Sequence, residues 1–558
     1  MLRRIALSAA LLLIAARAEA AQRGADLILW GGPIYTADDA HPRAEAVAVR
    51  DGRIIYAGSH AGALKLKRRG TGVIDLKGAT LFPGFTDAHA HFLEIGEREL
   101  TLNLAGLPSI AAVLEQVKAR AATLKPGEVL WGRGWIETHW PEHRFLTRQD
   151  LDSVAPDRPV ILQRADGHAM VANSLALKQA GVTRDTAAPT GGAILKDAAG
   201  EPTGMLVDNA MRFIEPLIPQ PTPEQKDRAY RAASEVYSSR GWTGLHNMSV
   251  EYEDAVLLEG YALKGELPLR VYNAVTPEGA ERLIQGGPRA AADGRVITRT
   301  LKFYMDGALG SRGAALLAAY DDADTTGLIK MEKDKTLPVW EAALRSGIQV
   351  TTHAIGDRAN RMTLDWYEEA FKAVPPPERK VKQPRWRIEH AQILSQSDIP
   401  RFAQLGVIPS MQPSHAIGDL DFAPSRLGEE RLAGAYAWKS LIKAGSIIPG
   451  GSDAPVEQGD PRIEFYAAVA RKALDGHSGP DWHPEEAVDR ATALKMFTAW
   501  PAYASFREQD LGEIKVGERA DFSIFSKDLM TVPEPEILKA RALMTILDGK
   551  VAWRAKDW

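Results

Sequence analysis

Thr80-Leu-Phe-Pro-Gly-Phe-Thr-Asp-Ala-His-Ala-His91 decides how the rest of the chain is read. Its β-rich beginning, Thr80–Ala88, runs into two histidines spaced two apart. On an extended strand such residues share a face, so both imidazoles point the same way. Downstream, seven more β-like runs alternate with helix-like segments: Gly241–His246, Leu269–Val275, Thr298–Met305, Gly347–His353, Arg385–His390, Gly406–Met411 and Ser446–Gly451. Eight such runs predict an α/β fold of the (β/α)8 TIM-barrel type, with its chemistry at the C-terminal strand ends. A doubly wound open sheet shares the local pattern and is the competing architecture. The interval between the first and second runs far exceeds an ordinary βα connection, so a cap-like insertion is expected over about 93–240.

Outside the barrel (80–504) the pattern changes. Asp26–Trp30, Ala46–Val49, Arg53–Ala57 and Val73–Leu76 are short β-rich runs, and Asp51-Gly52 is a hairpin signal. The far end repeats the style in Asp521–Phe525, Ala542–Leu547, Asp548-Gly549 and Val551–Trp553. Residues 21–79 and 505–558 are therefore expected to form one small β-sandwich from both chain ends.

The 558 residues carry 68 Lys+Arg against 72 Asp+Glu, a net charge of −4, so no basic excess points to nucleic acid. There is no cysteine, which excludes disulfides, thiol nucleophiles and thiolate metal ligands. Met1-Leu-Arg-Arg4, the apolar run Ile5–Ala16 and Ala18-Glu-Ala20 read as a secretory signal peptide cut after Ala20. An uncleaved anchor is the alternative. Export to a periplasm is the expectation, with no membrane segment after cleavage; a homodimer is compatible with the sequence.

The other chemistry-bearing residues also close β-runs. Lys302 lies in the apolar run Thr298–Met305, where an ammonium is costly to bury. His353 ends Gln349-Val-Thr-Thr-His353, His390 ends Trp386-Arg-Ile-Glu-His390, and Asp453 follows Ser446-Ile-Ile-Pro-Gly-Gly-Ser452. Singly, each has an ordinary explanation: a hydrogen-bonded core histidine, a snorkelling lysine, a helix N-cap. Together with His89 and His91 they form a set of metal-competent groups at the ends of strands one, four, five, six and eight.

This set resembles the amidohydrolase superfamily, and more closely its amidohydrolase-3, YtcJ-like branch, which includes N-substituted formamide deformylases. The resemblance rests on Phe82–His91, Asp166-Gly-His168 with Asn173-Ser174 and Ala176-Leu177, Lys302–Arg312, His353-Ala-Ile-Gly-Asp357, Ile388-Glu-His-Ala-Gln392, Gly451-Ser-Asp-Ala-Pro455 and Gly512–Asp521. It implies that His89, His91 and Asp453 bind a buried metal, that His353 and His390 bind a second, and that a CO2-derived carbamate on Lys302 bridges them. The nitrogen and oxygen donors suit Zn²⁺, with Fe²⁺, Mn²⁺ or Co²⁺ as alternatives. The implied reaction is hydrolysis of a C–N bond in a small amide-type substrate by a metal-activated hydroxide. Asp453 serves as general base and then acid, and His168 is a candidate helper at the oxyanion.

Three residues are candidate substrate contacts: Trp135 as a pocket wall, Arg312 as a fork for a carboxylate, and His415 after strand seven. A packing tryptophan, a loop salt bridge and a loop histidine are their ordinary readings. Asp306 and Asp357 are expected to orient ligands or cap turns, and His139, His143, His477 and His483 to be exposed. The alternatives are a deaminase or a cyclic amide or ester hydrolase on the same site, and a non-catalytic metal- or ligand-binding protein. A cofactor-dependent oxidoreductase lacks the G-x-G-x-x-G that should follow the first barrel run.

Overall fold

The computed structural model describes residues 24–138, 140–479 and 482–558. The expected signal segment and His139 lie outside the described residues.

Seven strands form the parallel sheet at the centre: β1 (Phe85–Ala90), β2 (Trp242–Val250), β3 (Arg270–Val275), β4 (Val296–Tyr304), β5 (Gln349–Ala354), β6 (Arg387–His390) and β7 (Ile408–Ser410). Each pairs with the next in chain order. The eighth run, Ser446–Gly451, is not a regular strand. Its Pro449 has no N–H to give a ladder. It nevertheless bridges Met411, just past β7, through Gly450, and the segment beyond it bridges β1 through Ala90 and Ala454. These links make a nearly closed barrel and carry Asp453 to the edge of β1, where its N–H donates to the His89 carbonyl at 2.7 Å.

The Thr80–Ala88 run is two strands rather than one. Thr80–Pro83 belongs to the sheet of the chain ends and β1 begins at Phe85. Gly84 makes the break: a Cβ there would lie 2.3 Å from Thr243 Oγ1, so only glycine lets the chain pass β2 this closely. The end sheet has the order Lys550–Arg554, Ala542–Leu547, Phe522–Phe525, Thr80–Pro83, Leu27–Tyr35, Arg43–Arg50, Arg53–Gly58, with Gly72–Asp75 also paired to Leu27–Tyr35. Both of its tight hairpins turn on two residues of positive φ, Asp51-Gly52 and Asp548-Gly549, as a two-residue type I′ turn requires.

Between β1 and β2 lies a separate six-stranded sheet, from Leu102–Asn103 to Pro202–Asp208. The return to β2 is the helix Pro223–Arg240. Thr222 caps it reciprocally with Gln225, Pro223 occupies its first turn, and Gly241 at φ 106° ends it. Around the barrel, Tyr367 and Trp386 pack on Trp340 with ring centroids 4.8 and 5.9 Å away, all three fully buried. Such ring pairs contribute about 0.5–1.5 kcal/mol each beyond area burial. They hold the helices Lys333–Ser346 and Asp357–Ala373 against β5 and β6.

Candidate metal centre

The carboxylate of Asp453 is the hub of the barrel mouth. Its Oδ1 lies 3.1 Å from His91 Nε2 and 3.3 Å from His89 Nε2, and its Oδ2 lies 3.5 Å from His415 Nε2. The two-residue spacing of His89 and His91 puts both rings on this one acid, as strand alternation requires. Lys302 Nζ is 3.5 Å from His89 Nε2. The His390 ring is 4.9 Å from that of His89 and 4.5 Å from that of His353. The structure thus gathers His89, His91, Lys302, His353, His390 and Asp453 into one cup.

Buried acids and amides stand behind these groups. Glu389 Oε2 accepts from His89 Nδ1 at 2.6 Å and Glu389 Oε1 is ion-paired to Arg387 at 2.7 Å, all of it without solvent exposure. Gln412 Oε1 lies 2.8 Å from His390 Nδ1. Asp87 accepts from the backbone N–H groups of His89 and Ser452 and from the hydroxyls of Ser452 and Tyr237, tying the eighth segment to β1. Asp306 accepts from Ala315, Ile355 and Gly356, and Asp357 from Leu317 and Arg358, so both hold loops.

The electrostatics favour donors with free lone pairs. Burial pushes His89 down to about 4, with Lys302 adding to the effect and Asp453 and Glu389 opposing it. Burial and neighbouring cationic groups likewise hold His353 and His390 well below the usual histidine range. Burial pushes Lys302 down to about 8 against Glu389 and Asp453. Burial alone would raise Asp453, but His89, His91 and His390 outweigh it and keep the carboxyl well below its usual range. Neutral imidazoles and an anionic carboxylate are the forms that bind a divalent cation.

Two overlapping donor sets fit such an ion: His89, His91 and Asp453, and His390, His415 and Asp453, each with ligand atoms within 4.8 Å of one another. Two of those histidines also carry a buried ring nitrogen without a hydrogen-bond partner among the described residues, Nδ1 of His91 and Nε2 of His415. Sequence reasoning left His415 as a substrate contact; here it stands beside Asp453 on the short helix Pro413–Gly418. It missed Glu389 and Gln412 altogether.

A cavity of about 360 Å³ opens above the cup, walled by Ile136, Leu309, Phe422 and Val456 and reached by His168, His353, His390, His415 and Asp453. A second chamber of about 230 Å³ adjoins it through His168, His353, His390 and Asp453 and extends to Lys302, Tyr304 and Lys330. Two expected substrate contacts lie elsewhere. Trp135 is fully buried and donates to the Leu162 carbonyl at 3.1 Å, packed on Trp140. Its neighbours Gly134 and Ile136 line the cavity, while a register shift at Gly134, with φ 99°, aims Trp135 into the core of the inserted sheet. The guanidinium fork of Arg312 is engaged by Asp322 at 2.9 and 3.1 Å and faces a different opening beside Arg144 and Arg426.

A parallel barrel whose strand ends gather histidines and an aspartate around a cavity is the arrangement of a metal-dependent hydrolase. A family model described as the amidohydrolase family matches residues 72–552, and the chain belongs to that family. It is 35% identical over 540 residues to YtcJ of Bacillus subtilis (strain 168), named as an amidohydrolase, covering 94% of this chain and 99% of YtcJ. It is 28% identical over 543 residues to the N-substituted formamide deformylase of Arthrobacter pascens, covering 94% and 97%. Among solved structures it is similar to an uncharacterized metal-dependent hydrolase from Pyrococcus horikoshii OT3, with a TM-score of 0.73, 28% identity, and 91% and 99% of the two chains covered.

Proposed function

We propose that this protein is an exported amidohydrolase that cleaves a C–N bond of a small amide-type molecule. The observation that carries the reading is the Asp453 carboxylate, held within 3.5 Å of three imidazoles at the floor of an apolar-walled cavity. A divalent cation bound there, Zn²⁺ by donor chemistry, supplies Lewis acidity and lowers the pKa of water from ~15.7 toward ~7. His89, His91, His353, His390 and Asp453 would hold the metal, and Lys302, as a carbamate, would add an anionic ligand.

The remaining chemistry belongs to the chain. Asp453 takes the proton of the attacking water and passes it to the leaving nitrogen, so the amine departs neutral. Glu389 and Gln412 fix the ring orientation of His89 and His390 through their second nitrogens. The apolar wall of Leu309, Phe422 and Val456 seats the substrate and excludes bulk water. Met1–Ala20 supports export, and among the described residues no helix is long and apolar enough to cross a membrane.

Metal analysis of the purified protein, coupled to a panel of N-acyl amino acids, formamides and lactams, tests the reading. Stoichiometric metal and release of a primary amine or amino acid are expected. Ammonia release from heterocycles would favour deamination, and protein without metal and without turnover after reconstitution would end the hydrolase reading.

A further inference from the structure

His168 enters the cavity from the inserted sheet rather than from the barrel, and it is held from behind. Its Nδ1 lies 2.6 Å from Asp208 Oδ1, and the Asp208 N–H donates to the His168 carbonyl at 2.9 Å. The two residues are therefore tied twice, at the adjoining ends of neighbouring strands. Asp208 is buried, sits at φ 48° and receives Lys330 Nζ on the same oxygen at 3.2 Å. Lys330 belongs to the barrel, in the loop after β4, where its N–H donates to the Met305 carbonyl at 2.8 Å. The space around the acid is kept by two glycines: a Cβ on Gly307 or Gly313 would lie 2.2 or 2.4 Å from Asp208 Oδ2.

The far side of the ring faces the chemistry. His168 packs 5.0 Å from the His353 ring and 6.5 Å from the Tyr304 ring, and it lines both chambers. Among the described residues its Nε2 has no protein partner. An ionised carboxylate only accepts hydrogen bonds, so the nitrogen that meets Asp208 must carry the proton. In a neutral ring the other nitrogen is then a lone-pair acceptor.

We propose that Asp208 is a positioning residue that fixes His168 in the Nδ1–H form, so that His168 Nε2 accepts the N–H of the scissile amide at the cavity wall. The inference rests on the amide-hydrolase reading and narrows it: the preferred substrates are amides that keep an N–H, and His168 orients that group rather than donating to the oxyanion. Lys330 joins the barrel to this pair from the inserted sheet, so the insertion supplies part of the site and not merely its cover.

Nitrogen-15 NMR of the full chain labelled at histidine tests the tautomer, with His168 assigned by the signal lost in His168→Gln. A protonated Nδ1 and an unprotonated Nε2 are expected, with that preference lost in Asp208→Asn. A wild-type ring protonated at Nε2 would overturn the proposal, and this measurement decides it even if the variant fails to fold. In kinetics, Asp208→Asn should lower kcat/KM for a secondary amide by about 10²-fold, the scale of a misplaced orienting group. The ester isostere of the same substrate should change by less than about threefold. Equal losses on amide and ester would make Asp208 a structural residue only. Failure of every amide in the wild-type panel would strike the hydrolase reading and leave the tautomer result to stand or fall by itself.

Discussion

Replacing Glu389 with glutamine removes one negative charge from a site sealed on every side. Glu389 accepts from His89 Nδ1 at 2.6 Å, pairs with Arg387 Nε at 2.7 Å, meets Arg387 Nη2 at 3.0 Å and also receives the Thr351 hydroxyl. Glutamine keeps the shape but turns one acceptor into a donor and leaves the Arg387 guanidinium, itself unexposed, without its counter-charge. Breaking a buried pair in this way costs about 3–5 kcal/mol. A lost partner behind a ligating histidine also weakens metal affinity by about 10–100-fold, or roughly 1.4–2.7 kcal/mol. Both effects are measurable: the first as a lowered denaturant midpoint of the metal-free protein, the second by titration against a chelator of known affinity. The double variant Arg387→Met with Glu389→Gln removes both charges and should be more stable than Glu389→Gln alone. A single variant with wild-type midpoint and wild-type affinity, or a double variant weaker than the single, would refute the argument that this pair sets His89.

Asp453→Asn should keep the fold and most of the bound metal while lowering turnover by at least about 10²-fold, read as metal content beside initial rates. Lys302→Ala should lose metal and activity together, with partial recovery on adding a short carboxylic acid; full activity without addition would exclude a bridging lysine carbamate. Trp135→Ala should cost about 3–5 kcal/mol in denaturant unfolding, because it empties the core of the inserted sheet. The same variant should leave KM of the folded enzyme unchanged, since the ring does not reach the cavity.

The parts of this molecule legible in its sequence are those that obey a simple period. Strand alternation placed His89 and His91 on one face, and the alternation of β-runs with helices located all seven regular barrel strands. The failures lie where the backbone leaves the regular period. Thr80–Ala88 read as one strand because nothing in its composition shows that Gly84 must slip past Thr243. The eighth run read as a strand although Pro449 keeps it to single bridges. Regular alternation would turn Glu389 away from the face of His390. His390 at φ 74° and Ala391 at φ 42° turn the chain at that point, and acid and imidazole both come to the cup. Trp135 belongs with them: the register shifts at Gly134, and the ring turns into the core of the inserted sheet.

Three of the irregular positions gather at the site. His390, Asp453 and Asp208 all have positive φ; His390 and Asp453 line the cavity, and Asp208 stands behind His168, which lines it too. A non-glycine residue in that region costs about 1–3 kcal/mol and persists only where its surroundings fix it. Here the fixing bonds are visible: Asp453 N–H to the His89 carbonyl, Asp208 N–H to the His168 carbonyl, and the His390 ring to Gln412. Each joins two different elements, and each is made by the residue that is strained. The buried aromatic cluster of Trp340, Trp386 and Tyr367 packs behind β5 and β6. Stability and chemistry meet in Arg387 and Glu389, whose buried pair also holds the His89 ring. The inserted sheet brings His168 to the cavity, while the six groups of the cup come from the barrel.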